Sequence, residues 1–140
     1  MSRRRFLLST FLLAAAGLSY AVLGPGLRPE LRLQVDEGRL GQLKALRAEP
    51  KFLDLPGAPA AEERRRLEPL INELLDRLIE GLQANPSDAW VIAQMEPTVD
   101  AFHLEDTEAR ERCLGYIEAV FKIFAIPDDR GAFRKFLIFW

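Results

Sequence analysis

Apolar residues return every third or fourth position through most of this chain, and the breaks in that rhythm divide it into segments. The strongest stretch is Leu67, Leu70, Ile71, Leu74, Leu75, Leu78, Ile79 and Leu82. Asn72, Glu73, Asp76, Arg77, Glu80 and Gln83 fall on the opposite side, so the pattern predicts an amphipathic helix with one face on a core. Pro69 suits the first turn of that helix, or a kink after a preceding turn, and Asn85-Pro86 stops it. Leu40, Leu43 and Leu46 predict a helix from Asp36 to Pro50. Trp90, Val91, Met95, Val99 and Phe102 predict another from about Ala89, capped by Ser87 or Asp88 and bent at Pro97. A further helix starts at Asp106, carries Cys113, Tyr116, Ile117, Val120, Phe121 and Phe124 as its buried stripe, and is broken by Pro127. A short segment from Arg130 to Leu137 completes the set. Residues 52–61, with two prolines, read as a loop. Leu31, Leu33 and Val35 alternate as a strand would, with no evident partner. The fold class expected is all-α, a small bundle of four to five helices behind an N-terminal apolar signal or anchor helix.

That apolar segment has a different pattern. Arg3, Arg4 and Arg5 precede an uncharged run from Phe6 to Gly24. A basic start followed by an apolar stretch is the layout of a secretory signal, and the run approaches the roughly 20 residues that span a bilayer. The arginines would stay on the cytoplasmic side and place the rest of the chain outside. Arg3, Arg4, Phe6 and Leu7 resemble the twin-arginine export motif, a bacterial route for folded cargo; Leu8 stands where that motif often has Lys. An ordinary secretory signal is the other reading. Ser19 and Ala21 would allow cleavage after Ala21, and an uncleaved anchor is the alternative. The organisation expected is a signal peptide or membrane anchor over 1–24, a linker over 25–35 and a helical domain over 36–140. Location in the periplasm or cell envelope follows, with membrane contact through residues 6–24 if the leader is retained.

Composition narrows the chemistry. The formal net charge is −2, and setting aside Arg3 to Arg5 leaves 16 basic residues against 21 acidic, a balance of −5. That argues against a nucleic-acid partner, which requires a concentrated basic footprint. The single cysteine, Cys113, rules out an intramolecular disulfide and a site of several cysteines. Beyond the leader Ser87 is the one serine, and the chain has no glycine-rich phosphate loop, Gly-x-Ser-x-Gly elbow or His-Glu-x-x-His.

The block Asp106-Thr107-Glu108-Ala109-Arg110-Glu111-Arg112-Cys113-Leu114-Gly115-Tyr116 carries a resemblance. It is similar to the bacterial domain-of-unknown-function family 4844, with Asp106, Thr107, Glu108, Arg110, Glu111, Cys113 and Tyr116 as the family-like positions. Phe52, Gly57, Asn72 with Leu74-Leu75, Asn85-Pro86, Gly131 and the aromatic tail extend the likeness over roughly residues 40–140. It departs at Phe136, where Trp is expected, and at Ile138, where Tyr is expected. The resemblance implies a helical fold and no reaction.

Several groups invite a functional reading. His103, Glu105, Asp106 and Glu108 crowd one connection and could form an acid–base or metal site. Asp106 and Glu108 are also ideal for capping the helix that follows, which is the expected role. Arg110, Glu111 and Arg112 could meet an anion, but read as a solvated face. Arg64 to Arg66 could touch anionic lipid, but suit a helix start. Cys113 opens an apolar stripe and is expected to be buried and inert. Phe133, Phe136, Leu137, Ile138, Phe139 and Trp140 are unusually apolar for a tail. They either pack back on the core or, through Phe136, Phe139 and Trp140, meet a partner. The reading that follows is a non-catalytic interaction module needing no cofactor or metal, its partner another envelope protein. The alternative is a small hydrolase or metal-dependent enzyme using His103 to Glu108.

Overall fold

The computed structural model describes residues 28–53 and 61–135. The leader, with Arg3, Arg4, Phe6 and Leu7, lies outside those residues, as do 54–60 and the segment containing Phe136, Phe139 and Trp140. Four helices follow one another: α1 (Glu37–Ala48), α2 (Ala61–Gly81), α3 (Asp88–Phe102) and α4 (Thr107–Phe124). Among the described residues there is no strand, and the all-α bundle expected from the periodicity is what forms. None of these helices is long and apolar enough to cross a membrane.

Local chemistry sets most boundaries. The Asp36 carboxylate accepts from Arg39 N–H at 2.8 Å, Ser87 Oγ from Trp90 N–H at 3.2 Å, and the Asp106 carboxylate from Ala109 N–H at 2.9 Å. Each satisfies a donor that the first helical turn leaves unpaired. α4 ends before Pro127 because Ala125 turns left-handed, with φ at 54°. Ile126 N–H then reaches Phe121 O at 2.9 Å and Ala125 N–H reaches Lys122 O at 3.4 Å, the paired bonds of a Schellman cap. α2 begins at Ala61, two turns ahead of Pro69, so the proline sits inside the helix rather than in its first turn. Glu62 and Glu63 suit that new first turn by their charge. Pro97 likewise lies within α3.

Each helix packs on the next, and α4 closes the ring against α1. Their inward stripes make one core: Leu43 from α1, Leu67, Ile71, Leu74, Leu75 and Leu78 from α2, Val91, Met95, Val99 and Phe102 from α3, and Cys113, Ile117, Val120 and Phe124 from α4. Gly81 lets the end of α2 meet the start of α3, because a methyl group there would overlap the six-membered ring of Trp90. Arg47 ties α1 to α2 through Asp76, with Nε–Oδ1 at 2.7 Å and Nη2–Oδ2 at 3.1 Å.

The alternating segment does find a partner. Arg32 forms an isolated antiparallel bridge with Ser87, Leu33 N–H donates to Pro86 O at 2.8 Å, and Leu33 joins the core. Residues 28–35, read as linker, are therefore seated on the bundle. The short helix expected from Arg130 does not start there: 130–133 are turns, and only 134–135 take a 3-10 conformation among the described residues. Arg130 and Gly131 both take positive φ, 54° and 75°, which a helix does not admit.

Candidate functional site

The acid–base residues singled out in sequence are dispersed to structural tasks. His103 is the C-cap of α3, half-buried, its backbone N–H donating to Asp100 O at 3.2 Å. The Glu105 carboxylate takes both terminal nitrogens of Arg66, Nη2–Oε2 at 2.9 Å, and this guanidinium holds it below its ordinary range. Asp106 caps α4 and Glu108 is exposed in its first turn. Thr107 Oγ1 accepts from Arg110 Nη2 at 3.3 Å, and Glu111 is exposed. Among the described residues no group of three or more His, Cys, Asp or Glu could hold a metal ion. Cys113 is fully buried, and burial pushes its thiol up to about 12, far from the thiolate a nucleophile requires.

Tyr116 has a long-range partner instead. Its hydroxyl accepts from Phe52 N–H at 3.0 Å, across 64 positions of sequence. Phe52 has φ of 62° and is fully buried, stacked on Phe102 at 5.9 Å between centroids and edge-on to Tyr116 at 5.5 Å. Beside it Lys51 is also wholly buried, its Nζ donating to the carbonyls of Arg47 (3.2 Å) and Glu49. The ammonium thereby closes the end of α1, while burial lowers its pKa. The resemblance marks Phe52 without a role, and Lys51 has no signal in sequence, because nothing local to a Pro-Lys-Phe connection announces its burial.

A second buried cluster also escaped the sequence. Arg28 pairs with Asp88 and, at 3.2 Å, with Asp128; Arg130 reaches Asp88 at 3.3 Å. Asp88 Oδ1 accepts from the N–H groups of Leu31 and Ala89, each at 2.8 Å, and Arg130 Nη2 donates to Arg28 O at 2.8 Å. Burial alone would raise the Asp88 carboxyl, but the bonds from Leu31 N–H and Arg28 outweigh it and hold the carboxyl below its ordinary range. The cluster fastens residues 28–31 to the start of α3 and to the turn after α4. Its bonds are consumed internally, so it acts as a clasp.

One of the open depressions is apolar. Val99 of α3, Leu114, Ile117 and Phe121 of α4, and Pro127 and Phe133 beyond α4 line a groove of about 300 Å³, with Glu118 and Asp129 at its edge. The Asp129 carboxylate is engaged, accepting from Gly131 N–H and Phe133 N–H at 2.9 Å each, which sets Phe133 into the wall. A wider depression of about 440 Å³ lies between the end of α1 and α4, with Arg112, Gly115 and Tyr116 on the α4 side. The groove is a place for hydrophobic side chains, without the converging polar groups that a reaction requires.

The described chain is thus a small helical bundle with an apolar groove between two adjacent helices. It belongs to the family described as domain of unknown function DUF4844, whose model matches residues 34–138. No curated protein and no solved structure matches the chain.

Proposed function

We propose that this protein is an exported or membrane-tethered, non-catalytic helical module that binds another envelope protein in the groove between α3 and α4. The observation that carries this reading is the groove itself: six apolar side chains line it, and its edge carboxylate Asp129 is already engaged. The assignment of the titratable residues agrees with it. His103, Glu105 and Asp106 serve as cap, inter-helix tie and cap, tasks that hold the His103–Glu108 connection to the fold. The basic start and uncharged run of residues 3–24 support export. In a partner, the matching element is an amphipathic segment offering one or two large apolar side chains.

The test is site-specific photo-crosslinking from position 121 in the native envelope, beside the same protein carrying Leu114→Glu. Leu114 is half-buried on the groove wall, so a charge there disturbs the groove more than the core. The expected result is one discrete adduct with an envelope protein, abolished by Leu114→Glu. Adducts insensitive to that change, or a protein confined to the cytoplasmic fraction, would overturn the proposal. Replacing Arg3 and Arg4 together by Lys separates the export routes: the twin-arginine route is blocked and the general route is not.

A further inference from the structure

The extended segment before α1 has two edges, and the bundle uses one of them. Leu33 N–H donates to Pro86 O at 2.8 Å, Asp88 N–H to Leu31 O at 3.1 Å, and Leu31 N–H to Asp88 Oδ1 at 2.8 Å. Backbone groups alternate in direction along an extended chain, so those of Glu30 and Arg32 point the other way. Among the described residues they have no hydrogen-bond partner. The open stretch is bounded on both sides, because Pro29 O accepts from Arg130 Nη1 at 3.2 Å and Gln34 O from Arg39 Nη1 at 3.1 Å. Glu30, Leu31 and Arg32 are all exposed. The clasp and the bridge to Ser87 already hold them in place, so pairing along this edge costs little further ordering. A row of unpaired N–H and C=O groups is a template for another strand.

The side chains select the strand that fits. Glu30 and Arg32 share one face, where both line a depression with Trp90, and Leu31, 39% exposed, alternates to the other. A two-fold contact requires a patch that is its own complement. Two copies laid antiparallel about Leu31 meet that condition. Glu30 then falls opposite Arg32 of the second copy, Arg32 opposite its Glu30, and Leu31 opposite Leu31. The backbone suits the same register, with Glu30 and Arg32 in the hydrogen-bonded pairs and Leu31 in the closer, non-hydrogen-bonded one. Centring the contact on Arg32 instead would set like charges directly opposite, which is destabilising.

We propose that residues 30–32 are a pairing edge for a second copy of this chain, antiparallel and centred on Leu31, with two reciprocal Glu30–Arg32 pairs. None of these residues lines the α3–α4 groove, so the pairing and the proposed function stand or fall separately. So short a contact falls below the size of a permanent interface, and the test therefore traps it.

The full chain carrying Leu31→Cys, in mild detergent, is oxidised gently and its disulfide-linked dimer is followed with time. Opposed Leu31 positions would lie about 4.5 Å apart between Cα atoms, within the range a disulfide spans. The native Cys113 is buried, and Leu104→Cys, at a position 89% exposed and remote in sequence, measures linking by collision. The expected result is faster linking at position 31 than at position 104. It is lost when Glu30→Arg or Arg32→Glu is added, with helix content unchanged in both. It returns when those two variants are mixed, because one chain then brings two arginines and the other two glutamates. Linking no faster than at position 104, linking that survives either charge change, or a mixture that stays unlinked would overturn the proposal.

Discussion

Replacing Tyr116 by Phe would keep the ring against Phe52 but take the acceptor from Phe52 N–H, which the turn leaves no helix to bond. A buried donor without a partner costs about 1–3 kcal/mol, so Tyr116→Phe is expected to lower the unfolding free energy by that amount, seen as a lower urea midpoint with an unchanged slope. A neutral result would mean that water replaces the hydroxyl. Ala125 offers the opposite experiment. It holds φ of 54°, a region that a Cβ disfavours by roughly 1–2 kcal/mol and glycine does not. Ala125→Gly is therefore expected to stabilise the protein by about 1 kcal/mol, seen as a higher thermal midpoint. The helix caps were legible in sequence because an Asp or Ser acts on a donor three residues away. The Tyr116–Phe52 bond was not, since its partners lie in different segments and nothing local pairs them. The resemblance marked Tyr116 without supplying its role, and that role is to secure the fold.

At the scale of elements, the apolar stripes of α1, α2, α3 and α4 could be read almost residue by residue, because burial repeats at the helical period. Their ends were harder to place where a proline intervened. Proline in a helix interior removes one hydrogen bond and crowds the preceding turn, a reason to start α2 near Pro69. The helix instead begins at Ala61 and runs through it, with Leu67 and Ile71 buried on either side. Their packing on the core outweighs the local penalty. Pro69 is itself exposed, so Pro69→Ala restores the bond to the Arg65 carbonyl without disturbing the core. An increase in stability of about 1–3 kcal/mol is expected from the propensity difference. A loss on equilibrium unfolding would show instead that α2 depends on the proline to bend onto its neighbours. The turn at 130–133, where sequence predicts the start of a helix, departs for a related reason. Composition alone does not reveal that Arg130 takes a left-handed conformation, fixed by the Asp128 carboxylate accepting from its N–H at 2.8 Å.

For the whole molecule, the clasp decides which parts of the chain belong to the bundle. Sequence places Arg28 in a linker, Asp88 as one of two candidate helix caps and Arg130 at the start of a short helix. Each assignment was reasonable locally, and only the assembled fold brings Arg28 and Asp88 within hydrogen-bonding distance in a buried site. The groove was partly legible: the apolar residues that line it were visible, but not which of them the packing would leave uncovered. The clasp also makes stability depend on acidity. The folded Asp88 carboxyl ionises at lower pH than an ordinary Asp, whose pKa is about 3.9. Its contribution is therefore complete above that ordinary value and is lost as pH falls through the folded one, because the unfolded chain binds the proton first. Glu105 and Asp76 shift the same way, but their ion pairs reach the surface and contribute little. Asp88→Asn leaves Arg28 buried without its nearest counter-charge, a loss expected to cost about 3–5 kcal/mol at pH 7. Urea unfolding of both forms at pH 7 and near pH 3 separates charge from packing. If the clasp works through the carboxylate, the gap between them narrows in acid, since the wild-type protein then approaches the variant's condition. A gap constant across that range would instead assign the clasp's contribution to packing and neutral hydrogen bonds, and the attachment of residues 28–31 would be insensitive to pH.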